Sequence, residues 1–204
     1  MSAQYQPTGM QMQGKRNNDV YSGELTKYPL TTNNTVLICK GDTVALVGGS
    51  IVPCTANAVA GTLSANSPHG VALGFSYMSV SRGLVFSQHL SPNAITSGDI
   101  SQVFVYVADN QFARFTVQAN GPVVAADLGA TIDLGGFGAG VATPYGISRI
   151  FADVTTINTG GGSTRSLRIV GFDETVGNVA GDAFTQLLVS WNANVYDWSF
   201  EGAH

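Results

Sequence analysis

Three histidines (His69, His89 and His204), two cysteines (Cys39 and Cys54) and thirteen acidic residues are the groups in this 204-residue sequence that could do chemistry. A serine nucleophile needs a base within reach and often sits in a GxSxG elbow, while a zinc hydrolase shows HExxH; neither motif occurs. His69 lies in "SPHG", a turn signal, and His204 is the last residue. No histidine has another His, Cys or carboxylate at ligand spacing. The only adjacent carboxylates are Asp173-Glu174, in "GFDETVGN". A glycosidase needs two acids facing each other across a cleft, whereas these two sit where charged turn residues are expected. Asp127, Asp133 and Asp182 lie in glycine-rich stretches but lack the D-x-D-x-D alternation of a calcium loop. The cysteines have no CxxC partner; one bridge is open to them, but two buried free thiols fit better, because a disulfide scaffold would carry more. The expectation is therefore no catalytic residue, no metal and no cofactor.

Residues 115–140, "FTVQANGPVVAADLGATIDLGGFGAG", are the best place to look for a phosphate loop. A dinucleotide fingerprint needs GxGxxG between a strand and a helix, so that the helix N-terminus meets the pyrophosphate. Gly136 and Gly138 supply GxG, but Val141 stands at the third glycine position and Pro144 opposes a following helix. A Walker loop needs a lysine, and none follows Lys40. The glycines read instead as corners in an extended chain. "FTVQ" is the end of a strand, Asn120-Gly121-Pro122 turns out of it, and "AADLG" is one tight turn stopped by Gly129.

Beyond residue 36 the elements that would position any site are short β segments. "VLICK" and "TVALV" are split by Gly41-Asp42, and "VALGFSYM" and "LVFSQH" by Arg82-Gly83. "QVFVYV" and "FARFTVQ" are joined by Ala108-Asp109-Asn110-Gln111, a hairpin-length connection. In "FARFTVQ", Ala113, Phe115 and Val117 share one face and Arg114, Thr116 and Gln118 the other, which predicts a half-buried strand. "SLRIVGF" and "TQLLVSW" alternate in the same way. The prediction is an all-β fold: a compact antiparallel β-barrel or sandwich-like body with long loops over 36–204, with room for two interleaved subdomains at about 36–97 and 98–204.

Residues 1–35 are polar, aperiodic and carry isolated anchors: Tyr5, Met10, Met12, Tyr21, Tyr28 and Leu30. Ordering about 30 residues costs roughly 30–60 kcal/mol of backbone entropy. Spaced anchors folding on themselves do not offset that, so the segment reads as an extended N-terminal arm ordered by a partner. At the other end, Trp191, Tyr196, Trp198 and Phe200 cluster within ten residues. Such rings stack on sugars or form interface hot spots, and an interface or core is favoured here.

Charged residues make up only 11% of the chain, against about 25% in typical soluble domains. A surface so poor in charge is weakly protected against association. The formal net charge of −4 and scattered basic residues give no electrostatic footprint for nucleic acid. No apolar run is long enough for a membrane span, and no secretory signal is recognisable, so synthesis in the cytosol is expected. In that setting the sequon Asn33-Asn34-Thr35 carries no weight.

Three phrases, "GDTVALVGGSIVP" (41–53), "FTVQANGPVVAADLGATIDL" (115–134) and "SLRIVGFDETVGNVAGDAFTQLLVSWNANVY" (166–196), resemble structural proteins of tailed bacteriophages, and most closely head decoration (cement) proteins. The resemblance covers most of 41–196 and not the N-terminal segment. It implies a β-rich domain, often a homotrimer, bound to the major capsid protein on the outer capsid surface of the virion and stabilising the head against internal DNA pressure. It brings no catalytic residues. Tyr5, Met10, Met12, Tyr21, Tyr28, Leu30, Tyr196, Trp198 and Phe200 are then the candidate capsid or subunit contacts. A virion fibre or tail subunit, or a carbohydrate-binding adhesin module, is the alternative.

Overall fold

The computed structural model describes residues 6–15, 25–30, 36–57, 67–91, 98–138, 146–160, 165–173 and 177–192. Among them the chain is all-β, in two main antiparallel sheets. The first runs β2 (Thr26–Pro29), β9 (Ile100–Ala108), β6 (Gly70–Ser79), β4 (Thr43–Val47) and β5 (Ser50–Pro53), with β7 (Gly83–Ser87) also paired to β6. The second runs β1 (Gln11–Lys15), β10 (Ala113–Gln118), β14 (Gln186–Trp191), β13 (Leu167–Phe172), β11 (Thr131–Gly135) and β12 (Phe151–Asn158). A short ladder joins β3 (Ile38–Cys39) to β8 (His89–Leu90). Each sheet curls until one parallel bridge links distant strands, Leu30 to Ile51 in the first and Ala119 to Ala152 in the second. Neither closes into a barrel, and the body is sandwich-like.

There are two cores, and the one lined mainly by the second sheet also takes in Val71 of β6 and Ala108 of β9. In the second sheet the alternating residues Phe115 and Val117, Leu187 and Val189, and Leu167 and Ile169 meet inside, where period-2 alternation places them. The Phe115 and Trp191 rings meet edge-on at 5.6 Å, a favoured aromatic geometry. In the first sheet Val103, Val105 and Val107 of β9 pack with Phe75, Val44 and Ile51. The expected turn at "AADLG" is a single 3-10 turn over Ala125–Asp127, and Gly129 follows it with φ +84°. "TQLLVSW" is a strand, and "VALGFSYM" and "LVFSQH" form a true hairpin.

Three expectations change. "QVFVYV" and "FARFTVQ" are not a hairpin: β9 belongs to the first sheet and β10 to the second. Each has strand neighbours on both sides already, β9 between β2 and β6 and β10 between β1 and β14. Residues 109–112 therefore carry the chain from one sheet to the other, and that is where the two halves divide, rather than after residue 97. Nor is β10 half-buried. Thr116 and Gln118 are also covered, because the N-terminal segment lies over them: the Gln6 backbone N–H donates to the Gln118 side chain (2.8 Å) and the Gln13 amide to Thr116 (3.2 Å).

The N-terminal segment itself supplies the third correction. In its described parts it is not a free arm, since β1 pairs with β10 and β2 with β9. The anchors do not act alone. Both strands also gain a backbone ladder, which satisfies their polar groups, and each has a preformed core to enter. Met10 is fully buried in the second core and Leu30 nearly so in the first.

Gly9 makes this docking possible. Its φ is +76°, and a Cβ there would overlap the Ser148 side chain and the Gly41 carbonyl. Gly49 has φ +81° with nothing near its absent Cβ. Gly9→Ala is expected to cost about 2–4 kcal/mol, from the left-handed backbone plus overpacking, and Gly49→Ala only about 1 kcal/mol. Urea unfolding of the two variants beside the wild type checks the difference.

Candidate functional site

Residues with chemical potential gather where segments from different parts of the chain meet, and there they hold strands. His69 is fully buried. Its Nε2 lies 3.1 Å from the Tyr28 hydroxyl, which donates to Asp109 Oδ2 at 2.7 Å, while Thr26 donates to Asp109 Oδ1 at 3.0 Å. Three elements are joined in this way: β2, the residue before β6, and the crossing after β9. Burial pushes the His69 pKa below its usual 6.5, and the Asp109 carboxylate 4.0 Å away opposes that only in part.

A second cluster centres on Asp42. Its carboxylate accepts the Ser148 hydroxyl and the Cys39 backbone N–H (2.8 Å). Burial raises its pKa, and those two hydrogen bonds pull the other way. Cys39 and Cys54 are both buried free thiols, as the sequence suggested. Burial lifts them to about 12 and about 11, so both stay protonated and unreactive at neutral pH.

The third cluster completes an interrupted ladder. β13 pairs with β11 only at Thr131 and Ile132. Beyond that point the Ser166 N–H donates to the Asp133 carboxylate (3.0 Å), whose other oxygen takes Arg165 at 2.6 Å. Asn57, from the first half of the chain, then acts as the missing strand: its amide donates to the Leu134 carbonyl and its oxygen accepts the Leu134 N–H, both at 2.8 Å. Asp133 is thus committed to an ion pair. Asp127 and Asp182 are committed to their own turns, accepting the N–H groups of Val124 and Val179. Among the described residues no three His, Cys, Asp or Glu side chains come together as a metal site.

Among the described residues, two groups of exposed apolar side chains stand out. On the β6–β7 hairpin, Met78, Val80, Leu84 and Phe86 are 39%, 81%, 59% and 68% exposed. Register sets Met78 opposite Leu84 and Ser76 opposite Phe86, and directly paired residues share a face. Ser76 also pairs with Phe104 of β9, over whose ring the Lys27 ammonium sits at 3.9 Å. The second patch lies in the other half: Val124, Leu128, Val170 and Val179 are 48%, 49%, 37% and 63% exposed. Backbone bonds from Gly181 to Val123 and from Gly129 to Ile169 tie their segments together. A cleft of about 520 Å³ lies between the halves, with Met10, Met12, Leu73 and Ile147 on its walls and Lys40 and Gln88 also lining it.

Of the residues expected to meet a partner, Met10 and Leu30 are buried in the two cores. Met12 is half-buried against the second core, and Tyr28 is engaged with His69 and Asp109. Tyr5, Tyr21, Tyr196, Trp198 and Phe200 lie outside the described residues, as does Glu174. The hairpin patch was missed in the sequence. Its signal is "GLVF", apolar at successive positions and so on both faces, opposite "MSV", where Met78 and Val80 share the face of Ser76. Comparison with family models, curated proteins and solved structures finds no match to this chain.

Two outcomes follow from the clusters. The unfolded chain takes up a proton at His69 near pH 6.5, while the folded chain resists it until lower pH. Stability from this group is therefore complete above pH 6.5 and is lost as pH falls toward the depressed folded value. The urea midpoint should drop between pH 7.5 and 5.0, and His69→Gln should drop less over the same interval. Asn57→Ala strands the buried Leu134 N–H and C=O, and should lower unfolding free energy by about 2–4 kcal/mol, measured by chemical denaturation.

Proposed function

We propose that this chain is a decoration (cement) protein of a tailed-phage head, bound to the major capsid protein on the outer surface of the shell. The observation that carries the reading is a group of exposed apolar side chains on each half of the body, Met78, Val80, Leu84 and Phe86 on one and Val124, Leu128, Val170 and Val179 on the other. A cement must touch two neighbours at once, and a chain with one sticky surface cannot bridge a joint. The sequence phrases that resemble phage head proteins point the same way, as does the low content of charge.

The mechanism is mechanical. A monomer that exposes contiguous apolar patches is poised to bury them against protein. Interfaces of about 800 Å² per partner are ordinary, and symmetric repetition over a shell sums them through avidity. A joint spanned by such a body opens only if these contacts break, so the pressure of packaged DNA is opposed at many points together. The polar clusters serve this role by keeping the two halves in fixed relation, so that load applied at one patch reaches the other.

Purified protein added to heads that lack it should bind to saturation and raise the temperature at which they release DNA. Val179→Lys, which places a charge in the second patch, should weaken that binding at least about tenfold. Heads that release DNA at one temperature with and without bound protein would sink the stabilising role.

A further inference from the structure

We infer that β7 is a self-association edge: two copies of this chain pair antiparallel through β7, centred on Val85, and so continue the first sheet from one copy into the other. The inference rests on the geometry of the hairpin, and it gives to a second copy one of the two apolar groups on which the capsid reading draws.

Among the described residues β7 has one strand neighbour, β6. Among these residues its outer side presents a row of backbone N–H and C=O groups that no strand pairs. Natural sheets usually blunt such an edge with lysine, proline, a bulge or an inward charge. β7 has none of these. Its sequence, Gly83 to Ser87, is GLVFS, without charge or proline. The β6–β7 ladder runs through five consecutive pairs without a register shift, so no bulge turns the edge away. A regular, uncharged, apolar edge is the form that accepts another strand.

The occupant is argued from self-complementarity. Antiparallel pairing about Val85 sets Leu84 opposite the other copy's Phe86, and Phe86 opposite the other copy's Leu84. Both cross-strand pairs are aromatic–aliphatic, the kind that stabilises a sheet. No like charges are brought together along the strand, and Arg82 falls outside the paired segment. Leu84 and Phe86, 59% and 68% exposed in the single chain, would flank each other across the seam, with Met78 beside them on the same face. The contact is isologous and closes on itself as a twofold, so it yields a discrete species rather than a fibre. The second patch, at Val124, Leu128, Val170 and Val179, stays free for a different neighbour. The symmetry differs from the threefold that the phage resemblance implies, and measured mass separates the two.

The test is the mass of the purified full-length chain in solution, without capsids, by light scattering and sedimentation over a dilution series. The expected result is an even-numbered assembly whose mass halves in the Leu84→Lys/Phe86→Lys double variant, which sets like charges across the seam. Both residues are exposed, and circular dichroism with a thermal melt confirms that the variant is folded. Val179→Lys, in the other patch, should leave the mass unchanged. A wild-type chain that is monomeric or trimeric at all concentrations overturns the inference, as does an even-numbered assembly that the double variant leaves intact. Head binding through the other half is tested separately by Val179→Lys.

Discussion

Asp42 is where the two halves of the molecule are fixed to one another. Its carboxylate takes the Ser148 hydroxyl from the segment leading into β12, and the Cys39 N–H from its own turn. Its carbonyl accepts the Ala72 N–H, and the neighbouring Gly41 carbonyl accepts the N–H of Met10. A carboxylate withdrawn from water is costly unless its oxygens are satisfied, so Ser148 has to stand where it does. Once it does, Gly9 must pass against it without a side chain, and Met10 is delivered into the second core. One half-buried carboxylate thereby ties together segments more than a hundred residues apart.

The other polar clusters apply the same logic. Asn57 leaves the first half to finish a ladder in the second, and Tyr28 with His69 and Asp109 binds β2 to the crossing between sheets. Asp42, His69, Asp109, Asp127, Asp133 and Asp182 are each engaged by a strand, a turn or an ion pair. The interior is thus specified by hydrogen bonds, and the exterior by area.

Strand positions were legible because alternation reports directly on which face is buried, as at Phe115, Val117, Leu187 and Val189. The β6–β7 hairpin was legible because Arg82-Gly83 marks a turn whose closing glycine needs φ +72°. Pairing across distance was not legible. Residues 109–112 have the length of a hairpin loop, and only the competition for β9 and β10 from β2, β6, β1 and β14 makes them a crossing instead. The role of the N-terminal segment was hidden for the same reason, since "QMQGK" and "TKYP" have no periodicity of their own and become strands by finding an edge. His69 was read as a turn residue because nothing local reveals Asp109 and Tyr28 beside it.

The placement of β1 and β2 has a consequence for how the chain comes off the ribosome. β1 must wait for β10, and β2 for β9: Gln13 bonds to Thr116 across 103 residues and Tyr28 to Asp109 across 81. At roughly 5–20 residues per second, that is a delay on the order of 5–20 s for the first strand. During this time Met10 and Leu30 have no core to enter, and the edges they will cover do not yet exist. Folding dominated by such distant pairings is intrinsically slow. The polar character of these strands, and the near absence of apolar neighbours around their anchors, keeps the nascent N-terminus from sticking to anything else before its sheets arrive.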